Sequence, residues 1–145
     1  MEQFADTYRP PLEAELEQGE TLRGICAANH RQSAFKGRLV AIGITDRRLL
    51  VLGIGRRGAT EGVESITPEQ VADAKAGGAG GGWPTAEAAI ADHTAISLTL
   101  KTTDGRKLKL MMMRGEGRMF GKLGGGEPQR LGVAALGEWF ERLSP

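Results

Sequence analysis

The residues able to do chemistry are few and scattered. His30 and His93 are the only histidines and Cys26 the only cysteine. The histidines stand far apart with no accompanying ligand set, so they read as exposed loop or strand-edge side chains rather than a metal centre. A single cysteine excludes an intrachain disulfide and a cysteine metal cluster. Within the small-residue run CAA it is expected to be a buried small hydrophobe. Gly53-Ile54-Gly55-Arg56-Arg57-Gly58 fits G-x-G-x-x-G and follows an apolar run. A dinucleotide site needs a helix next, to meet the pyrophosphate with its N-terminus. Here ATEGVE follows and leads to another strand candidate, so the glycines read as a hairpin turn. Gly121-Lys122 lacks both the earlier glycine and the following Ser/Thr of a phosphate-binding loop. No Ser/His/Asp or Cys/His set has a local signature. The expectation is therefore no catalytic residue, no metal and no cofactor.

The charged residues are more informative. The chain has 145 residues, a formal net charge of +1 and only 5% aromatics. Its charge is blocked: residues 1–20 carry net −5, 21–60 net +7, 61–94 net −5 and 95–145 net +4. Within 21–60 the cations include Arg23, Arg31, Lys36, Arg38, Arg56 and Arg57, and no acid lies between Glu20 and Asp46. Either the acidic segments pack beside this block and cancel it, which the near-neutral total favours, or it forms a face for an anionic partner. Few aromatics interleave with these cations, so nucleic-acid stacking is not expected.

These side chains must be positioned by short elements. A helix is expected over 10–18, with Pro10 or Pro11 in its first turn. A strand is expected over 21–28, a polar loop over 29–37, and a hairpin from 38–45 and 48–54 with Asp46 capping its turn. Residues 62–71 read as a short extended piece that Pro68 should end or place on an edge. Ile96, Leu98 and Leu100 alternate, as do Leu108, Leu110 and Met112, around Asp104-Gly105. Only a three-residue loop, Thr103-Asp104-Gly105, pairs Leu100 with Leu108 and keeps every apolar residue on one face. Residues 128–143 form an amphipathic helix with a stripe of Leu131, Ala135, Leu136, Trp139, Phe140 and Leu143. The Gly-rich 77–94 stretch reads as a long insertion, in which Trp83 is a candidate partner contact.

Together these predict a mainly β fold: a six- to seven-stranded antiparallel barrel or roll, capped by a C-terminal helix and preceded by a short N-terminal one. Residues 1–20 form an N-terminal extension and 21–145 one domain. The N-terminus lacks a basic n-region and an apolar h-region, so the expected compartment is the cytoplasm.

ITDRRLLVL at 44–52, ITPEQV at 66–71, LTLKTTDGRKLKL at 98–110 and a tail helix holding Trp139 resemble the bacterial pleckstrin-homology-like (PH/GRAM-like) domains over residues 20–143. The resemblance implies a seven-stranded, partly open barrel capped by its C-terminal helix. It also implies a non-enzymatic module that binds a protein partner or copies of itself. Phospholipid-binding members hold head groups with basic residues on the first two strands. Arg23, Lys36 and Arg38, with Arg31, Arg56 and Arg57 nearby, resemble that layout and make anionic lipid the alternative ligand.

Overall fold

The computed structural model describes residues 3–31, 37–77, 95–113 and 126–143. Its elements run α1 (Gln3–Glu13), β1 (Leu22–Arg31), β2 (Gly37–Thr45), β3 (Leu49–Ile54), β4 (Thr60–Ile66), β5 (Val71–Ala76), β6 (Ala95–Thr102), β7 (Lys107–Met113) and α2 (Gly126–Glu141). The seven strands make one antiparallel sheet in the order β4-β3-β2-β1-β7-β6-β5. Two meanders, β1–β4 and β5–β7, are joined by a ladder of two residue pairs, Asn29 with Met111 and His30 with Leu110.

β4 and β5 follow one another in sequence, yet they are the two margins of the sheet. A connection of only Thr67–Gln70 forces the sheet to roll until those margins approach. They do not pair, so the roll stays open. The gap is spanned instead from the β6–β7 turn, where Arg106 reaches Glu64 of β4 at 3.3 Å; the Thr103 amide, donating to the Gln70 carbonyl at 2.8 Å, prolongs the β5–β6 ladder. No helix among the described residues is long and apolar enough to cross a membrane.

Rolling places both meanders around one core. Ile42, Leu49 and Ile66 from the first meet Leu98, Leu100, Leu108 and Leu110 from the second, with Val133, Leu136, Trp139 and Phe140 of α2. A second cluster lies on the outer face, where Phe4, Tyr8 and Leu12 of α1 cover Ile25, Ala27, Ala41, Leu50, Leu52 and Ile54. All six residues of β3 are therefore buried. That is why LLVLGI is a continuous apolar run, whereas β6 and β7, covered on one face, alternate.

α2 is held against β1 by backbone proximity and one amide. A Cβ on Gly132 would collide with the carbonyl oxygen of Ile25, and one on Gly24 would crowd Gly132 and Ala135. Only glycine lets the two backbones come this close. Beside them the Ala27 amide donates to Gln129 Oε1 at 2.7 Å, and Gln129 Nε2 donates to the Ala27 carbonyl at 3.0 Å. The glutamine thus occupies the place of a neighbouring strand where β1 and β7 have parted.

The hairpin register follows face matching: Leu100 pairs with Leu108, Leu98 with Leu110 and Ile96 with Met112. Gly105 sits at φ +93° in the three-residue loop, a conformation that favours glycine. Other expectations are corrected. The N-terminal helix spans 3–13 rather than 10–18, so Pro10 and Pro11 fall near its end, not in its first turn. Burial of Phe4, Tyr8 and Leu12 at i, i+4 spacing outweighs the two amide donors lost to proline. β1 runs on to Arg31, because Asn29 and His30 find partners on β7. The 62–71 piece divides at Pro68 into β4 and β5. Leu131 is 60% exposed and lies off the buried stripe, since Gly132 takes the position against β1. The hairpin turn at 45–48 is capped by the Thr45 hydroxyl, which accepts from the amides of Arg47 and Arg48, while Asp46 instead accepts from the Thr21 amide.

Two substitutions test this packing. Trp139 is only 3% exposed, so Trp139→Ala should cost about 3–5 kcal/mol. Gln129→Leu keeps bulk but strands the Ala27 N–H and C=O, at about 1–3 kcal/mol for each unpaired group. Both should lower the urea midpoint; an unchanged midpoint in either contradicts the docking of α2 described here.

Candidate functional site

Among the described residues, the turn Thr45-Asp46-Arg47-Arg48 that follows the apolar β2 is a dense polar locus. Glu20 is buried, at 8% exposure, in the segment after α1. Arg48 meets it with two donors, Nε to Oε2 and a terminal nitrogen to Oε1, both at 3.0 Å. The Thr45 hydroxyl donates to Oε2 at 2.6 Å and the Glu17 amide to Oε1 at 2.9 Å. Arg48 also reaches the Glu15 carbonyl at 2.7 Å and Ser65 Oγ on β4 at 3.0 Å. Burial alone would raise the Glu20 carboxyl. The hydrogen bonds from Arg48, the Glu17 amide and Thr45, with the Arg48 charge, outweigh it and hold the group at about 2. Every strong donor here is used within the chain, so the locus ties α1 to the β2–β3 turn and to β4 rather than presenting a ligand site.

Of the candidate anion-binding residues, Arg31, Arg38, Arg56 and Arg57 come to the same end of β1–β3, where Arg31 stands opposite Gly37 and Val40 opposite Gly53, whereas Arg23 does not join them. Arg23 and Arg31 lie near opposite ends of β1, about 26 Å apart along an extended strand. Arg38, at the start of β2, is ion-paired with Glu61. Arg56 and Arg57 are exposed on a single helical turn after β3, where Arg57 adopts φ +60°. The chain after this turn enters β4, not a helix, so the G-x-G-x-x-G stretch is a hairpin connection. Lys36, Trp83 and residues 78–94 lie outside the described residues. Three cations of the 21–60 block pair with acids of the flanking acidic segments: Arg38 with Glu61, Arg47 with Glu17 at 3.7 Å, and Arg48 with Glu20.

A cationic set that sequence reasoning passed over lies on the outer face of β6, β7 and the end of β1. With Leu100, Leu108 and Leu110 buried, alternation turns Lys101, Lys107 and Lys109 outward, and all three are exposed together with Arg31. Lys101 pairs directly with Lys107 across the ladder. The alternation of 98–110 was the available signal; the partnership with Arg31 needed the β1–β7 pairing.

Hollows lined by described residues accompany the sheet. One, of about 210 Å³, lies among His30, Arg38, Val40, Val51 and Glu64 at the mouth of the roll. Another, of about 220 Å³, is a groove between the β5 margin and the end of α2, lined by Pro68, Val71, Ala74, Phe140 and Leu143 among others. Neither gathers a nucleophile with a base. Cys26 is fully buried, and burial pushes its thiol up to about 12, which removes the thiolate. Among the described residues no three His, Cys, Asp or Glu side chains converge on a metal position.

No known protein family matches the chain, and no curated protein matches it. Among solved structures it is similar to the hSac2 domain from human phosphoinositide phosphatase Sac2. The TM-score is 0.50 at 12% identity, over 96% of this chain and 77% of that one. It is also similar to the C-terminal domain of an unknown protein from Leishmania infantum, at TM-score 0.42 and 16% identity over 76% of this chain and 81% of that one. At these identities the likeness to the first is one of fold.

The Glu20 carboxyl titrates lower in the folded chain than its ordinary 4.5. Its stabilisation is therefore complete above the ordinary value and is lost as pH falls from about 4.5 toward about 2. The size is on the order of 3 kcal/mol. Glu20→Gln should lower the urea midpoint at pH 7, and the gap to the parent should shrink at pH 3. A gap independent of pH would contradict the assignment. Cys26 should not react with a thiol reagent until the chain is unfolded; rapid labelling of the native protein would contradict its burial.

Proposed function

We propose that this chain is a non-enzymatic, PH-like binding and assembly module of the cytoplasm that takes a protein segment, or a copy of itself, on the free margin of its sheet. The observation that carries the reading is the β5 margin. Among the described residues β5 has a single strand neighbour, β6, and the groove that ends on Phe140 and Leu143 runs beside it. An unpaired margin offers a row of backbone donors and acceptors, and an adjoining groove gives alternate side chains of an added strand somewhere to rest.

Extended peptides selected from a random display library on this chain should bind the parent and lose binding to Ala74→Pro, which removes a donor from the margin. Lys107→Glu/Lys109→Glu should bind them unchanged. Peptides that bind all three proteins equally would sink the reading.

Anion binding is the second reading. It is favoured by the outward set Arg31, Lys101, Lys107 and Lys109, rather than by the 21–60 block with its three ion pairs. Co-sedimentation with vesicles containing anionic lipid should be weak and insensitive to moderate salt. Binding that falls with salt and disappears in Lys107→Glu/Lys109→Glu would reverse the order of the two readings.

A further inference from the structure

Resting on the margin-binding reading, the geometry points to a second copy of this chain as the occupant, with its β5 lying antiparallel across the first about a two-fold axis at Ala74.

Backbone polarity sets that axis. The Gly77 amide donates to the Ser97 carbonyl at 3.0 Å, and β5 meets β6 as Lys75 with Thr99 and Ala74 with Leu100. In an antiparallel ladder, alternate residues turn both backbone groups to the same neighbour. Residues 77 and 75 therefore face β6, and Ala74 and Ala76 direct their N–H and C=O to the open side. Across the two-fold axis the N–H of Ala74 in each copy donates to the Ala74 carbonyl of the other. Ala76 comes level with Ala72 of the second copy, where an irregularity between Val71 and Asp73 ends the regular part of the ladder.

Charge selects the same register. With Ala74 on the axis, Asp73 of each copy stands opposite Lys75 of the other. These are the positions where side chains approach most closely. Both residues are exposed, and neither makes an ion pair among the described residues. An in-register parallel alignment sets like charges side by side, and a shifted antiparallel one separates Asp73 from Lys75. A lysine on a sheet margin ordinarily repels another chain. The aspartate two residues earlier makes this margin complementary to itself, which is what an isologous two-fold contact requires.

Size permits the approach. Ala72, Ala74 and Ala76 are small, and β5 contains no proline. The second strand can therefore reach the ordinary spacing of about 4.8 Å. It would lie along the groove whose far wall is Phe140 and Leu143, and join two seven-stranded sheets into one.

The test is sedimentation equilibrium of the full chain from micromolar to millimolar concentration, with four variants. The parent should dimerise with concentration. Asp73→Lys and Lys75→Asp should each weaken the dimer about tenfold, and the double reversal should restore it to within about threefold. Ala74→Pro, whose lost N–H points away from β6, should be monomeric with unchanged near-UV circular dichroism. Amide exchange at Ala74 and Ala76 should slow as concentration rises, while exchange at Lys75 stays constant. A parent monomeric throughout overturns the proposal, as does a dimer indifferent to both single reversals. If the parent is monomeric but selected peptides still need Ala74, margin binding stands and the second copy is excluded. If neither binds, both readings fall.

Discussion

The structure depends on the pairing of one side-chain amide with one residue of backbone. β1 is the strand through which the two meanders are joined, yet it follows β7 for only two residue pairs. Beyond them the Ala27 N–H and C=O would be buried without partners, and each such group costs free energy comparable to a lost hydrogen bond. Gln129 supplies both partners from α2. The geometry is available only because Gly24 and Gly132 let helix and strand backbones touch. That contact brings Val133, Leu136, Trp139 and Phe140 over the open end of the roll and completes its core.

A second tie works from the other side of the sheet. α1 buries Phe4, Tyr8 and Leu12 on the outer face of β1–β3. Its trailing segment is fixed by Glu20 on Arg48 and Thr45. A buried carboxylate is tolerable there because a two-pronged guanidinium, a hydroxyl and an amide meet its lone pairs. The acidic N-terminal block and the basic block that follows are thus partly consumed by one another, and the same holds for Arg38 with Glu61 across β2 and β4. Charge blocks in the sequence become local neutralisation in the fold.

What is left over defines the surfaces open to partners. The roll stays open because its two margins, brought together at one corner by a four-residue connection, do not pair with each other. β5 is the margin beside the groove that ends on Phe140 and Leu143, and its Asp73 and Lys75 are exposed and make no ion pair among the described residues. The outward lysines of β6 and β7 share the outer face with these two residues: Lys101 stands opposite Asp73 in one ladder and opposite Lys107 in the other. Like charges so placed oppose strand pairing. The buried side of the hairpin outweighs them.

The sequence by itself determined the strand faces and the helix at each end. Alternation at 96–100 and 108–112 settled the hairpin register, because a slip of one residue would turn every leucine to water. Burial of Cys26 and of Trp139 was likewise legible from local pattern. The short N-terminal helix was foreseen but misplaced, since local rules put proline at a helix start while the tertiary burial of Phe4 and Tyr8 began it earlier. Distribution in space was decided only by the tertiary structure. Arg23 and Arg31 share a strand and a charge sign, but strand length holds them apart. Arg31 and Lys109 are distant in sequence, but the β1–β7 pairing brings them to one face. Gln129 reads as an ordinary polar residue near a helix start; its role exists only because a strand more than a hundred residues earlier lacks a neighbour at Ala27. Local pattern records which face of an element is apolar, and it carries no information about which backbone groups the folded sheet leaves unpaired.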